Sequence, residues 1–176
     1  MANSFADLTQ VAAVLRATPQ VLRGLLLPLD AAALTWRPDA DSWCVKEVIG
    51  HLIETDRSAF RDRIKLMISA PDPVLGGLDI HGLVATRRDA TRPVAALLDE
   101  LAAQRGEMAD LVAGLTPAGL ARTAPYPKHN KVFSVADFVY EWPFHDAAHT
   151  KQILDLLQRQ YVPHMGPTMR AAVGHG

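Results

Sequence analysis

His145 and His149 stand four residues apart in a stretch whose apolar residues Val135, Phe138, Val139, Trp142, Ile153, Leu156 and Leu157 recur at helical spacing. Advancing about 100° per residue gathers these apolar positions into one arc of roughly 100°. His149 and Asp146 fall inside that arc, and His145 falls at its edge. Polar groups thus interrupt a core face in one place, which is costly unless they find partners. Two imidazoles at i and i+4 lie one above the other, the spacing that lets them share a metal ion. Neutral imidazole suits several first-row divalent ions, at about 2.0–2.1 Å for Zn. Two ligands are too few for a durable site, so a third is needed. His51 is the best candidate, because it is the only histidine in the second helical segment and facing helices of a bundle commonly assemble such sites. The same projection sets His51 off the centre of its own apolar stripe, on a side with Cys44, Glu54, Thr55 and Ser58. His81, His129, His164 and His175 fall in loops or the tail and read as solvated, with His81, beside Asp79, the next candidate.

Four helical segments must position these residues. The first is expected over about 4–27 through Leu8, Val11, Ala12, Leu15, Leu22 and Leu26, with a break at Thr18–Pro19. The second begins with Ser42 as its cap, carries Val45, Val48, Ile49, Leu52, Ile53, Phe60, Ile64 and Met67 inward, and stops at Pro71-Asp72-Pro73. A long connection of little regularity, 69–90, follows; connections of that length often wall a site. The third helix runs from Thr91 or Arg92 to about Ala113, and a short extra turn spans about 116–121. After a loop holding Pro125, Tyr126, Pro127, Lys128 and His129, the fourth helix runs from Ser134 as cap to about Tyr161. Pro163, Gly166 and Pro167 predict an irregular tail over 162–176. With no strand pattern of consequence, the chain reads as one all-α domain over 1–176, a four-helix bundle with its core at about 4–161.

Composition agrees. The 176 residues are 49% hydrophobic and only 6% aromatic, rich in the helix formers alanine and leucine. Against 19 acidic side chains there are 18 basic ones, and this even balance offers no basic face for nucleic acid. No basic leader or membrane-length apolar run is visible, and the expectation is a cytoplasmic protein with neither a nucleic-acid nor a membrane partner. The single cysteine, Cys44, excludes an internal disulfide. A place in the first turn of a helix would lower its pKa, but the plainer reading is a small buried residue.

Leu34-Thr-Trp36-Arg37-Pro38, then Ser42-Trp43, then Val48-Ile-Gly-His51-Leu52, resembles the first signature of the DinB/YfiT superfamily. His145-Asp-Ala-Ala-His149, followed by Gln152-Ile153, resembles the second. Order, spacing and length agree over nearly the whole chain. The resemblance implies a four-helix bundle of up-down-down-up topology. It also implies that His51, His145 and His149 bind one divalent ion, Zn or Ni, with water in the remaining positions. Pro143 departs from the pattern and predicts a kink near Glu141. Glu54, Asp56, Glu141 and Asp146 are candidates to hold the imidazole tautomers.

Three neutral histidines with open positions match catalytic rather than structural zinc sites. The resemblance therefore implies a metal-dependent enzyme that activates a thiol or a water for attack on a small electrophile. A thiol S-transferase using a low-molecular-weight thiol is the first form, and a hydrolase the second. A non-catalytic metal-binding stress-response module is the alternative, and a structural bundle with a vacant histidine cluster is the plainest reading. A homodimer through the bundle is also expected, with Leu75, Leu78 and Trp142 as exposed-looking apolar residues.

Overall fold

A computed structural model describes residues 7–174. The first residues of the expected first helix, and His175, lie outside the described residues.

Helix α1, Leu8–Leu26, opens on Asp7, whose carboxylate accepts the Thr9 amide at 2.8 Å. It passes through Pro19 without the expected break. The second rod starts at Val45, not after Ser42. Between it and α1 lies the five-residue α2, Ala31–Thr35. Cys44 is the cap of α3, Val45–Thr55, and the Glu47 carboxylate accepts the Cys44 amide at 2.9 Å. Ser42 instead turns its hydroxyl to Asp39. Beyond α3 the rod widens into a π-helical turn, Asp56–Arg61, and resumes as α4, Asp62–Ser69. That turn buries both Asp56 and Phe60.

The connection to the third rod is more regular than expected. It holds α5, Ile80–Arg87, capped by Asp79, and a 3-10 turn at Asp89–Thr91. Only Val84 of α5 is buried, so the segment has no apolar stripe to reveal it in sequence. The third rod is α6, Val94–Ala113, and a single turn, α7, spans Pro117–Leu120. Next comes a hairpin where no strand was expected: β1, Thr123–Tyr126, pairs antiparallel with β2, Lys131–Ser134, Ala124 facing Phe133. The turn between them closes on Asn130 in the left-handed region, φ 49°, a conformation asparagine tolerates better than most residues. Helix α8, Val135–Tyr161, continues unbroken through Pro143. The expected irregular tail contains a short helix, α9, Pro167–Ala172, because Pro167 opens it rather than ending one.

The rods form an all-α four-helix bundle in which α1 and α3/α4 each pack between α6 and α8. Arg16 pairs with Asp110 and Arg23 with Asp99, so α1 and α6 run antiparallel. Leu22 and Leu26 share one apolar cluster with Val45–Ile53, Leu97–Leu101, Ile153 and Leu156. Val11, Leu15, Phe60, Ile64, Met108, Val112, Val135 and Trp142 share the other. The order is therefore up, down, down, up, with the 70–93 crossover carrying the chain back along the bundle. Trp142 and Leu75, expected to be exposed, are buried at 0% and 2%. No helix of the described residues is long and apolar enough to cross a membrane.

Candidate metal centre

Between the two apolar clusters lies a polar layer. Its centre is Arg105 of α6, 1% exposed, whose guanidinium grips Asp56 at 2.5 and 2.9 Å and Asp146 at 2.5 and 2.6 Å. Trp142 donates its indole N–H to Asp56 at 2.7 Å, and the Thr18 hydroxyl donates to Asp146 at 2.8 Å. All four rods meet in this network. A buried charge is tolerable only when paired and hydrogen-bonded, as these are.

The histidines adjoin this layer. His51 hangs from α3, and His145 and His149 from one face of α8. One ring nitrogen from each lies within 4.8 Å of the others, and His51 Nε2 faces His145 Nε2 at 3.1 Å. Two nitrogens on one tetrahedral zinc, at about 2.05 Å each, stand roughly 3.3 Å apart, so the observed contact has the width of a shared ion. Burial first, then the charges of His149, His145 and His81, pushes His51 down to about 3. Burial, His149 and Arg105 push His145 down to about 3 as well. Both rings are therefore neutral at physiological pH, the form that ligates.

Supporting contacts differ from those expected. Among the described residues, none of Glu54, Asp56, Glu141 and Asp146 hydrogen-bonds a triad imidazole. Asp56 and Asp146 serve Arg105 instead, and Glu54, 1% exposed, receives Arg57 at 2.6 Å and Ser58 at 2.5 Å. Glu141 lies on a separate cleft with Phe133 and Phe138. The residue that does orient a ring is Gln152, whose Oε1 lies 2.7 Å from His149 Nδ1 and fixes that nitrogen as the donor. Its position three residues after His149 was visible in the sequence, but it received no role there. Thr55 Oγ1 stands 3.5 Å from the His51 ring nitrogens, and His145 Nδ1 is buried without a partner among the described residues. Aromatic walls complete the site: the Trp43 ring lies 4.9 Å from His51, and Phe60 meets His145 edge-on at 5.5 Å.

His81 is exposed, as expected, yet its ring sits 5.1 Å from Trp43. His129 is exposed beside Tyr126, and His164 lies in the 3-10 turn after α8. Cys44 is fully buried, and burial pushes its thiol above the ordinary value. A nucleophilic role is thereby disfavoured. With a thiol-exchange reagent at neutral pH the folded protein is expected to react far more slowly than the urea-unfolded chain, which should release one equivalent promptly. Equal rates would show that Cys44 is accessible after all.

A sequence profile of the DinB superfamily matches residues 15–153. The chain is 25% identical over 142 residues to a protein of Oceanobacillus iheyensis named "Putative metal-dependent hydrolase", covering 81% of each chain. In fold it is similar to YfiT from Bacillus subtilis, described as "a probable metal-dependent hydrolase with an unusual four-helix bundle topology". That match has a TM-score of 0.80 and 19% identity, and covers 91% of each chain.

Proposed function

The chain belongs to the DinB superfamily, and from there we propose that it is a metal-dependent enzyme of hydrolase type whose divalent ion is held by His51, His145 and His149. One observation carries this reading: three imidazoles from two rods converge with ring nitrogens within 4.8 Å, two of them 3.1 Å apart. Zn and Ni both suit an all-histidine donor set. When bound, such an ion acidifies a coordinated water or thiol and polarises a carbonyl or similar electrophile.

The chain's own residues do the rest. Gln152 holds the His149 ring so that its Nε2 faces the site. Trp43 and Phe60 exclude water from two sides. The Arg105 network fixes α8 within one turn of His145 and His149 through Asp146, and holds the end of α3 through Asp56, five residues after His51. Water is the first nucleophile proposed, since the two relatives are named for hydrolysis. A low-molecular-weight thiol is the second, because the same ion would acidify it.

Elemental analysis of tag-free protein tests the reading. Wild type is expected to bind about one equivalent of Zn or Ni, and His51→Ala and His149→Ala to lose it. Hydrolysis of small activated esters should disappear with the metal. Wild type that binds no metal after Zn or Ni is added would overturn the reading. Metal retained by His51→Ala alone would overturn the choice of third ligand.

A further inference from the structure

Along α8, on the side of the triad toward its C-terminus, lies a cavity of about 440 Å³. Two residues that line it also touch the triad: Gln152 at His149 Nδ1, and Trp43 against the His51 ring. His81 forms another wall, and Arg159 lies farther along the same helix. Residues 149, 152, 156 and 159 follow one another at three- and four-residue steps, so they share one helix face. A molecule reacting at the triad has this cavity as its neighbouring space.

The charges of the cavity select what fills it. Arg159 makes no hydrogen bond or ion pair among the described residues. It acts at a distance on Asp39, whose carboxylate is already taken by Ser42 and the Asp41 amide. Of the two acids that line the space, Asp155 is offset by Lys151 at 2.7 Å. Asp41 is left, with Asp39 close to Arg159, and against these two stand Arg159 and the double positive charge of the ion held by the triad. The field in the cavity is therefore positive once the site is loaded.

We infer that this cavity is the subsite for the non-reacting part of the substrate, and that this part ends in an anionic group, a carboxylate or a phosphate, received by Arg159. The inference rests on the metal-dependent reading of the triad. Ten residues of helix separate His149 from Arg159, about 15 Å at 1.5 Å per residue. Arginine side chains lean back toward the helix N-terminus, which shortens the gap to a span that a tail of about six carbons covers. The guanidinium fork matches either anion by paired N–H donors.

Cobalt-loaded protein, titrated with thiols as metal anchors and followed by the thiolate-to-cobalt absorption band, reads this directly. The probes are 6-mercaptohexanoate, 6-mercaptohexyl phosphate, 6-mercaptohexanol and 6-mercaptohexylamine. At least one anionic probe is expected to bind about tenfold more tightly than the alcohol, the gain of one charge-assisted contact; which anion gains more distinguishes a carboxylate from a phosphate substrate. Arg159→Gln should remove the difference without changing the alcohol, and Arg159→Lys should keep part of it. Equal binding of all four probes, or tightest binding of the amine, overturns the anionic subsite while cobalt binding still stands. Failure to take up cobalt at all, with no absorption band for any probe, overturns the metal reading beneath it.

Discussion

Replacing Arg105 by methionine is expected to lower the free energy of unfolding by about 3–5 kcal/mol, the cost of leaving buried charges uncompensated. Methionine fills much of the arginine's volume, so the loss is not chiefly one of packing. The substitution strands Asp56 and Asp146, 1% and 2% exposed, with no other cation paired to them among the described residues. It also removes the guanidinium that lies over the Trp142 ring, 5.3 Å from its centroid. Urea denaturation measures the effect. Adding Asp146→Asn to Arg105→Met should recover part of the loss, because one stranded carboxylate is gone while an acceptor for Thr18 remains. If Arg105→Met unfolds within about 1 kcal/mol of wild type, the network does not bind the rods together and the four-way junction is ornamental.

Gly50→Ala is expected to destabilise by about 2–3 kcal/mol, although alanine favours a helix over glycine by about 1 kcal/mol. A Cβ at position 50 would stand 1.9 Å from Asp89 Oδ2 and 2.8 Å from its Cγ. Asp89 cannot swing away cheaply. It is 1% exposed and tied to Arg87 at 2.7 Å and to Arg92 at 2.9 Å. Gly50 is thus the notch through which the crossover seats on α3, one residue before His51. Gly106→Ala in α6 is the control, since nothing lies within 4 Å of a Cβ there. It should stabilise by about 0.5–1 kcal/mol. Opposite signs for two glycine-to-alanine changes, both within helices, would isolate the contact with Asp89 from helix propensity.

The helical rods and the i, i+4 histidine pair were legible because both follow from one periodicity. His51 was harder to place. The apolar stripe of Val45, Val48, Ile49, Leu52 and Ile53 points away from it, and His51 lies on a second, polar side of α3. That side is covered as well, as the burial of Gly50, Glu54 and Thr55 and the packing of α5 on α3 show, and no apolar periodicity marks it. Arg105 was invisible for a different reason. An arginine in an amphipathic helix reads as solvent-facing, and its partners lie 49 and 41 residues away. For the same reason Asp56 and Asp146 were assigned to the imidazoles: the sequence showed carboxylates near histidines but not the cation between them. Segment α5 and the hairpin escaped because neither carries a long apolar repeat; α5 buries only Val84, and β1 has Pro125 at its centre.

The order of the rods also sets a schedule for folding. The side-chain contacts of α1 run to Asp99, Asp110 and Asp146, sequence separations of 76, 94 and 128 residues. During synthesis α1 has no partner rod to settle on until α6 has emerged, and its surface is finished only when α8 follows. Closing such long loops is slow compared with pairing adjacent helices. Until then the apolar face of α1, Val11, Ala12, Leu15, Leu22 and Leu26, stays open to water and to other chains. A nascent chain stalled before α6 should therefore expose α1 as a sticky helix, which α6 covers in part and α8 closes.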